Sequence, residues 1–134
     1  MKSSVLIVEN ERATAWALSE GLAEDGYRIK AVPSSEDALR FLRRGKCDLI
    51  ITDIHLPGMD GIGLLKKVAS KRRIPAIVIT ASASQEALSE AKKAGAVCLF
   101  SKPFIVDEVK KSVARALTSR SKKRVSKTAG GNKH

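Results

Sequence analysis

The chain has 134 residues, which suits one compact domain, and 25 Lys and Arg against 14 Asp and Glu give a net charge of +11. Hydrophobic residues make up 43%, enough for a folded core, while a 4% aromatic share argues against a base-stacking surface for single-stranded nucleic acid. No apolar run approaches the ~20 residues of a membrane helix. The short run Val5-Leu6-Ile7-Val8 ends at Glu9, unlike a secretion signal, so a cytoplasmic protein is expected. Cys47 and Cys98 read as two reduced thiols, and the absence of a CxxC or His/Cys cluster argues against zinc.

In chain order, two periods alternate. Val5–Val8 is a continuous apolar run that fits a strand buried on both faces. Residues 11–25 read as a helix with Ala13, Ala17, Leu18 and Leu22 at helical spacing, closed by Asp25-Gly26. Trp16 lies off that stripe and is expected to be partly exposed, with a solvated position weighed against a partner contact. Tyr27–Val32 is a second strand, stopped by Pro33. Ser34 and Asp37 have capping-box spacing and open a helix that runs to about Arg44. Leu49–Thr52 is the third strand, followed by a Gly- and Pro-rich loop from Asp53 to Gly61 and a helix over Ile62–Ser70. The basic run Lys71-Arg72-Arg73 reads as a solvated helix end. Pro75 is placed at the first position of a fourth strand that continues as Ala76–Thr80. Gln85–Ala94 is helical, Val97–Phe100 is the fifth strand, and a last helix carries Val106, Val109, Val113 and Leu117 on one face.

Five strands alternating with five helices predict an α/β fold with a parallel five-stranded sheet and helices on both faces. The count uses up residues 1–118. Residues 119–134 hold six of the basic residues and none of the acids, which leaves +5 on residues 1–118 and puts +6 on the segment. That segment reads as a basic flexible tail or linker stub. A solvated linker is weighed there against an electrostatic hook for nucleic acid or an acidic protein.

Ligands of an open parallel sheet bind at the carboxyl ends of its strands. Glu9, Asn10 and Glu11 follow the first strand, Asp53 follows the third, Thr80 ends the fourth and Lys102 follows the fifth. With strand order 2-1-3-4-5, Glu9, Asn10 and Asp53 become neighbours, flanked by Thr80 and Lys102. Adjacent carboxylates need a cation, and oxygen-only donors select a hard ion such as Mg2+. Lys102 and Thr80 suit phosphoryl oxygens. Asp53 is then the nucleophile of a phosphoryl transfer.

At these residues the sequence resembles the receiver domain of two-component response regulators. The matching blocks are Val5-Leu6-Ile7-Val8-Glu9-Asn10-Glu11, Asp53 through Gly61, Thr80-Ala81 and Phe100-Ser101-Lys102-Pro103-Phe104. The resemblance covers residues 3–118. It implies a flavodoxin-like fold, and phosphorylation of Asp53 by a sensor histidine kinase or phosphotransfer protein. Mg2+ would sit at Glu9, Asn10, Asp53 and the main-chain carbonyl of His55, while the His55 side chain is expected in solvent. Lys102 would contact the acyl phosphate, Thr80 and Phe100 would act as switch residues, and the Lys102–Pro103 bond would be cis. The switched surface would be that of the fourth helix, fifth strand and fifth helix, open to an output partner or a second copy. No enzyme with an external product is implied.

One departure stands out. Position 10 is Asn10, where the family usually has a second acid, so a weaker Mg2+ site is expected. A phosphate-independent binding module on the same fold is the alternative. A cofactor-carrying flavodoxin-like enzyme is disfavoured because Glu9-Asn10-Glu11 is not a phosphate-cradling loop.

Overall fold

The computed structural model describes residues 2–128, of which 120–128 are described as backbone only. The elements are β1 (Ser4–Val8), α1 (Arg12–Glu24), β2 (Arg28–Val32), α2 (Ser35–Leu42), β3 (Leu49–Asp53), α3 (Gly61–Ala69), β4 (Ala76–Thr80), α4 (Gln85–Lys93), β5 (Ala96–Ser101) and α5 (Val106–Thr128). All strands pair in parallel, in the order β2-β1-β3-β4-β5. The expected α/β architecture and strand order are both found.

Strand alternation divides the core in two. Leu6, Val8, Ile50 and Val78 turn to one face and pack with Ala38 of α2, Leu64 and Val68 of α3 and Ala91 of α4. Val5, Ile7, Leu49, Ile51, Ile77 and Ile79 turn to the other and pack with Leu18 and Leu22 of α1 and Val109 and Val113 of α5. Each such aliphatic side chain contributes about 1.5–3 kcal/mol when fully buried. The inner strands β3 and β4 are buried along their whole length, which explains their unbroken apolar sequences. The outer strand β2 exposes three of its five residues.

The helix starts follow local chemistry. Ser34 caps α2 by accepting a hydrogen bond from Asp37 N–H at 3.1 Å, as its spacing predicts. The Asp37 carboxylate does not complete the box; it pairs with Arg40 at 2.6 Å. Asp60 caps α3 through Gly63 N–H at 2.8 Å, and Ser84 caps α4 through Ala87 N–H at 3.0 Å.

Several sequence expectations need correction. Asp53 is the last residue of β3 rather than the first of a loop, and Pro75 precedes β4, offering its carbonyl to Ile50 N–H at 3.0 Å. Ala13 of the supposed α1 stripe is exposed. The backbone is helical from Val106 through Thr128, so α5 continues past residue 118. Apolar periodicity ends at Leu117, but Lys, Arg and Ser sustain a helix, and no Gly or Pro interrupts it before Gly130. Residues 129–134 lie outside the described part. No helix among the described residues is long and apolar enough to cross a membrane.

Candidate functional site

The carboxyl ends of β1, β3, β4 and β5 bring the expected residues together on one side of the sheet. Glu9 follows β1 and is 3% exposed; Asp53 ends β3 and is 4% exposed. Between them stands the ammonium of Lys102, just after β5. Its Nζ lies 2.7 Å from Asp53 Oδ2, 2.9 Å from Glu9 Oε1 and 3.3 Å from Glu11 Oε1. The backbone of Lys102 is fixed by its N–H, which donates to Thr80 O at 2.8 Å. The Lys102–Pro103 peptide is cis, as the resemblance implied.

The remaining oxygens are held by backbone donors. Asp53 Oδ1 accepts from His55 N–H at 3.0 Å, and Glu9 Oε2 accepts from Glu11 N–H at 2.9 Å. Glu9 Oε1 is different. It is buried and close to Lys102, yet the approach is off the hydrogen-bond direction, so this oxygen has an ion pair but no hydrogen bond. Burial, reinforced by the Asp53 charge, raises the Glu9 pKa despite the Glu11 N–H and Lys102. Burial opposes the Lys102 charge, but Asp53 and Glu9 outweigh it and raise the ammonium pKa. Exposed Glu11 is lowered by the Thr14 hydroxyl and by Lys102.

Thr80 is fully buried, one position beyond Ile79, the β4 partner of Asp53. Its Oγ1 accepts from Ser82 N–H at 3.1 Å, which leaves the hydroxyl proton to donate elsewhere. Phe100 is half-buried against the α1/α5 side of the core and pairs in register with Ile79. Asn10 and the His55 side chain are exposed, the latter as expected. Trp16, at 67%, is more exposed than expected.

The donors suit a hard cation. Glu9 Oε1 is a buried carboxylate oxygen without a hydrogen bond, Asp53 supplies a second carboxylate, and Asn10 can add a neutral oxygen. The acid count is low: among the described residues no three His, Cys, Asp or Glu form a metal-holding group.

The loop after Asp53 is braced by residues that sequence reading left out of the site. Glu36, on the first turn of α2, accepts from Met59 N–H at 3.1 Å, and Ser35 Oγ donates to Asp60 O at 3.3 Å. Gly61 N–H donates to Ile54 O at 2.8 Å, and a Cβ at position 61 would lie 2.0 Å from Asp53 O. Only the Gly-rich character of this loop hinted at so close an approach. Glu11, too, was seen beside the first strand but not assigned to the cluster.

Comparison with known proteins identifies the family. The response regulator receiver domain family matches over residues 5–114, and the chain belongs to it. The chain is 31% identical over 122 residues to sporulation initiation phosphotransferase F of Bacillus subtilis, covering 90% of this chain and 98% of that protein. It is 33% identical over 115 residues to the transcriptional regulatory protein PdtaR of Mycobacterium tuberculosis, covering 85% of this chain and 56% of PdtaR. It spans only 25% of the DNA-binding transcriptional regulator NtrC of Proteus hauseri, at 30% identity and 87% coverage of this chain. Among solved structures, the signal receiver domain of a signal transduction histidine kinase from Syntrophus aciditrophicus superposes with a TM-score of 0.80 at 31% identity, covering 87% of this chain and 91% of that one. The chemotaxis response regulator CheY4 of Vibrio cholerae gives 0.81 at 26% identity, covering 87% and 99%. Receiver domains of two-component systems are switch domains, and this chain has their fold.

Proposed function

We propose that Asp53 accepts a phosphoryl group from the phosphohistidine of a sensor histidine kinase or phosphotransfer protein. An Asp53 oxygen attacks phosphorus, the P–N bond breaks, and its electron pair stays on the imidazole nitrogen. The observation that carries this reading is the Lys102 ammonium set between two buried carboxylates at the strand ends. Lys102 exchanges its contact with Asp53 Oδ2 for a phosphoryl oxygen, keeping its charge because its pKa is raised. The Thr80 hydroxyl, whose proton is uncommitted, donates to another. Glu9, Asp53, the Asn10 side chain and the His55 carbonyl would hold Mg2+, which when bound would supply charge neutralisation for phosphoryl transfer.

Thr80 and Phe100 then shift and alter the surface of α4, β5 and α5, where an output partner or a second copy docks. The switch comprises residues 1–118, and the basic segment after it serves as a solvated linker, with an electrostatic contact to nucleic acid or an acidic protein as the alternative. The setting is cytoplasmic, and the output is a binding event rather than a released product.

The exposed Asn10 and the missing third acid favour a second reading, a phosphate-independent binding module. Incubation with a small phosphodonor and Mg2+, followed by intact mass, separates the two. One added phosphoryl in wild type and none in Asp53→Ala is expected; no gain in wild type, together with no binding of beryllofluoride, leaves the second reading standing. Asn10→Asp restores a carboxylate and is expected to lower the Mg2+ concentration for half-maximal phosphorylation about thirtyfold, the scale of one extra charge ~4 Å from a divalent ion in water. An unchanged Mg2+ requirement would show that Asn10 does not limit metal binding.

A further inference from the structure

The open edge of the sheet at β2 has the features of a second binding site. Among the described residues β2 pairs with β1 alone. Arg28 N–H donates to Ser3 O at 2.9 Å, and Val32 O accepts from Glu9 N–H at 3.0 Å. By strand alternation Arg28, Lys30 and Val32 therefore direct their backbone groups at β1, while Ile29 and Ala31 direct theirs outward.

Beside this edge, between β2 and α2, runs a groove of about 510 Å³. Val32 and Phe41 make it apolar, and Lys30, Arg40 and Arg44 make it basic. The Phe41 ring is packed in place: Lys30 Nζ lies 5.9 Å from its centroid, and a Cβ on Gly45 would come within 2.5 Å of it. Among the described residues the one acid lining the groove, Asp37, is paired with Arg40 at 2.6 Å. Among the described residues neither Lys30 nor Arg44 forms an ion pair with a carboxylate. None of Glu9, Asp53 or Lys102 lines this groove.

We propose that this edge and groove bind an acidic segment of a partner protein in extended conformation, which adds to β2 as a sixth strand. The outward N–H and C=O groups of Ile29 and Ala31 supply the ladder. Alternate side chains of the added strand fall on the α2 side, where carboxylates meet Lys30 and Arg44 and aliphatic stems lie over Phe41. Charge selects this occupant. A second copy pairing β2 to β2 would set Arg28 and Lys30 against their own likes, an arrangement that guards edges against self-association. Nucleic acid would satisfy the cations but cannot continue the backbone ladder. The site is independent of Asp53 and does not rest on its phosphorylation.

The probe is an eight-residue peptide alternating glutamate and valine, with a lysine–valine peptide and a single-stranded oligonucleotide as comparisons. Titration of the fluorescently labelled peptides gives affinity, and amide hydrogen exchange gives location. Binding of the acidic peptide, weakened by salt, with slowed exchange at Ile29 and Ala31, is expected. Ala31→Pro removes an outward donor at an edge position where proline is tolerated, so it should lower affinity at least about tenfold with an unchanged circular dichroism spectrum. Lys30→Glu with Arg44→Glu should lower it similarly and admit the lysine–valine peptide. No binding of the acidic peptide overturns the proposal. So does binding without protection at Ile29 and Ala31, binding indifferent to a folded Ala31→Pro variant, or tighter binding of the oligonucleotide at the same edge. The exchange readout needs no variant, so it decides even where Ala31→Pro fails to fold.

Discussion

Lys102 serves two buried carboxylates with one ammonium, and the imbalance falls on Glu9. Its Oε1 has no hydrogen bond, and burial raises its pKa. A carboxyl whose folded pKa is raised adds stability below its ordinary value of about 4.3 and loses that contribution as pH rises through the folded pKa. Glu9→Gln removes this dependence. Wild type should therefore gain stability relative to Glu9→Gln as pH falls from about 7 to about 4, measured by urea unfolding across that range. A difference that is flat, or that favours wild type more at high pH, would show that Lys102 fully compensates Glu9. At this scale Glu9, Asp53, Thr80 and Lys102 were legible because each stands at the end of an apolar run whose direction the sequence reveals. Glu11 was not, since its role depends on a lysine 91 positions away that only the sheet brings near.

Elements set the position of the Asp53 carboxylate. β3 delivers it, and α3 begins so close behind that Gly61 touches the Asp53 carbonyl. The obstruction at position 61 is backbone and no rotamer change can relieve it. Gly61→Ala should destabilise the fold by about 1–3 kcal/mol, the usual range for overpacking, read as a lower urea midpoint. It should also slow phosphoryl acceptance by moving Asp53. An unchanged midpoint would mean the loop yields without strain. The capping residues Ser34, Asp60 and Ser84 act through donors three residues away, so signals of that kind are readable locally. The grip of Glu36 on Met59 spans 23 residues and was invisible to local reading.

Across the whole molecule, buried parallel strands are continuous apolar runs, and that made the α/β architecture readable; the strand order was taken as the common one for such sheets and is the one found. The end of α5 was less so. Ala116 and Leu117 are the last residues described as packed on the core, and the sequence beyond them carries no apolar stripe that a periodicity reading could detect. A chain ending after Thr118 should keep its stability to within about 0.5 kcal/mol in urea unfolding, while losing six positive charges. A loss of about 2 kcal/mol or more would place the longer helix within the cooperative unit. The split in charge also sharpens the functional reading, because the +11 belongs partly to that segment while the pocket is built on acids.

The central claim is that Asp53 is the phosphoryl acceptor, and the most direct measurement locates the bond. An aspartyl phosphate is an acyl phosphate, which borohydride reduces to a stable homoserine. After treatment with phosphodonor, Mg2+ and borohydride, peptide mapping should find homoserine at position 53 and nowhere else. Reduction at another carboxylate, or none in a protein whose mass shows an added phosphoryl, would contradict the assignment.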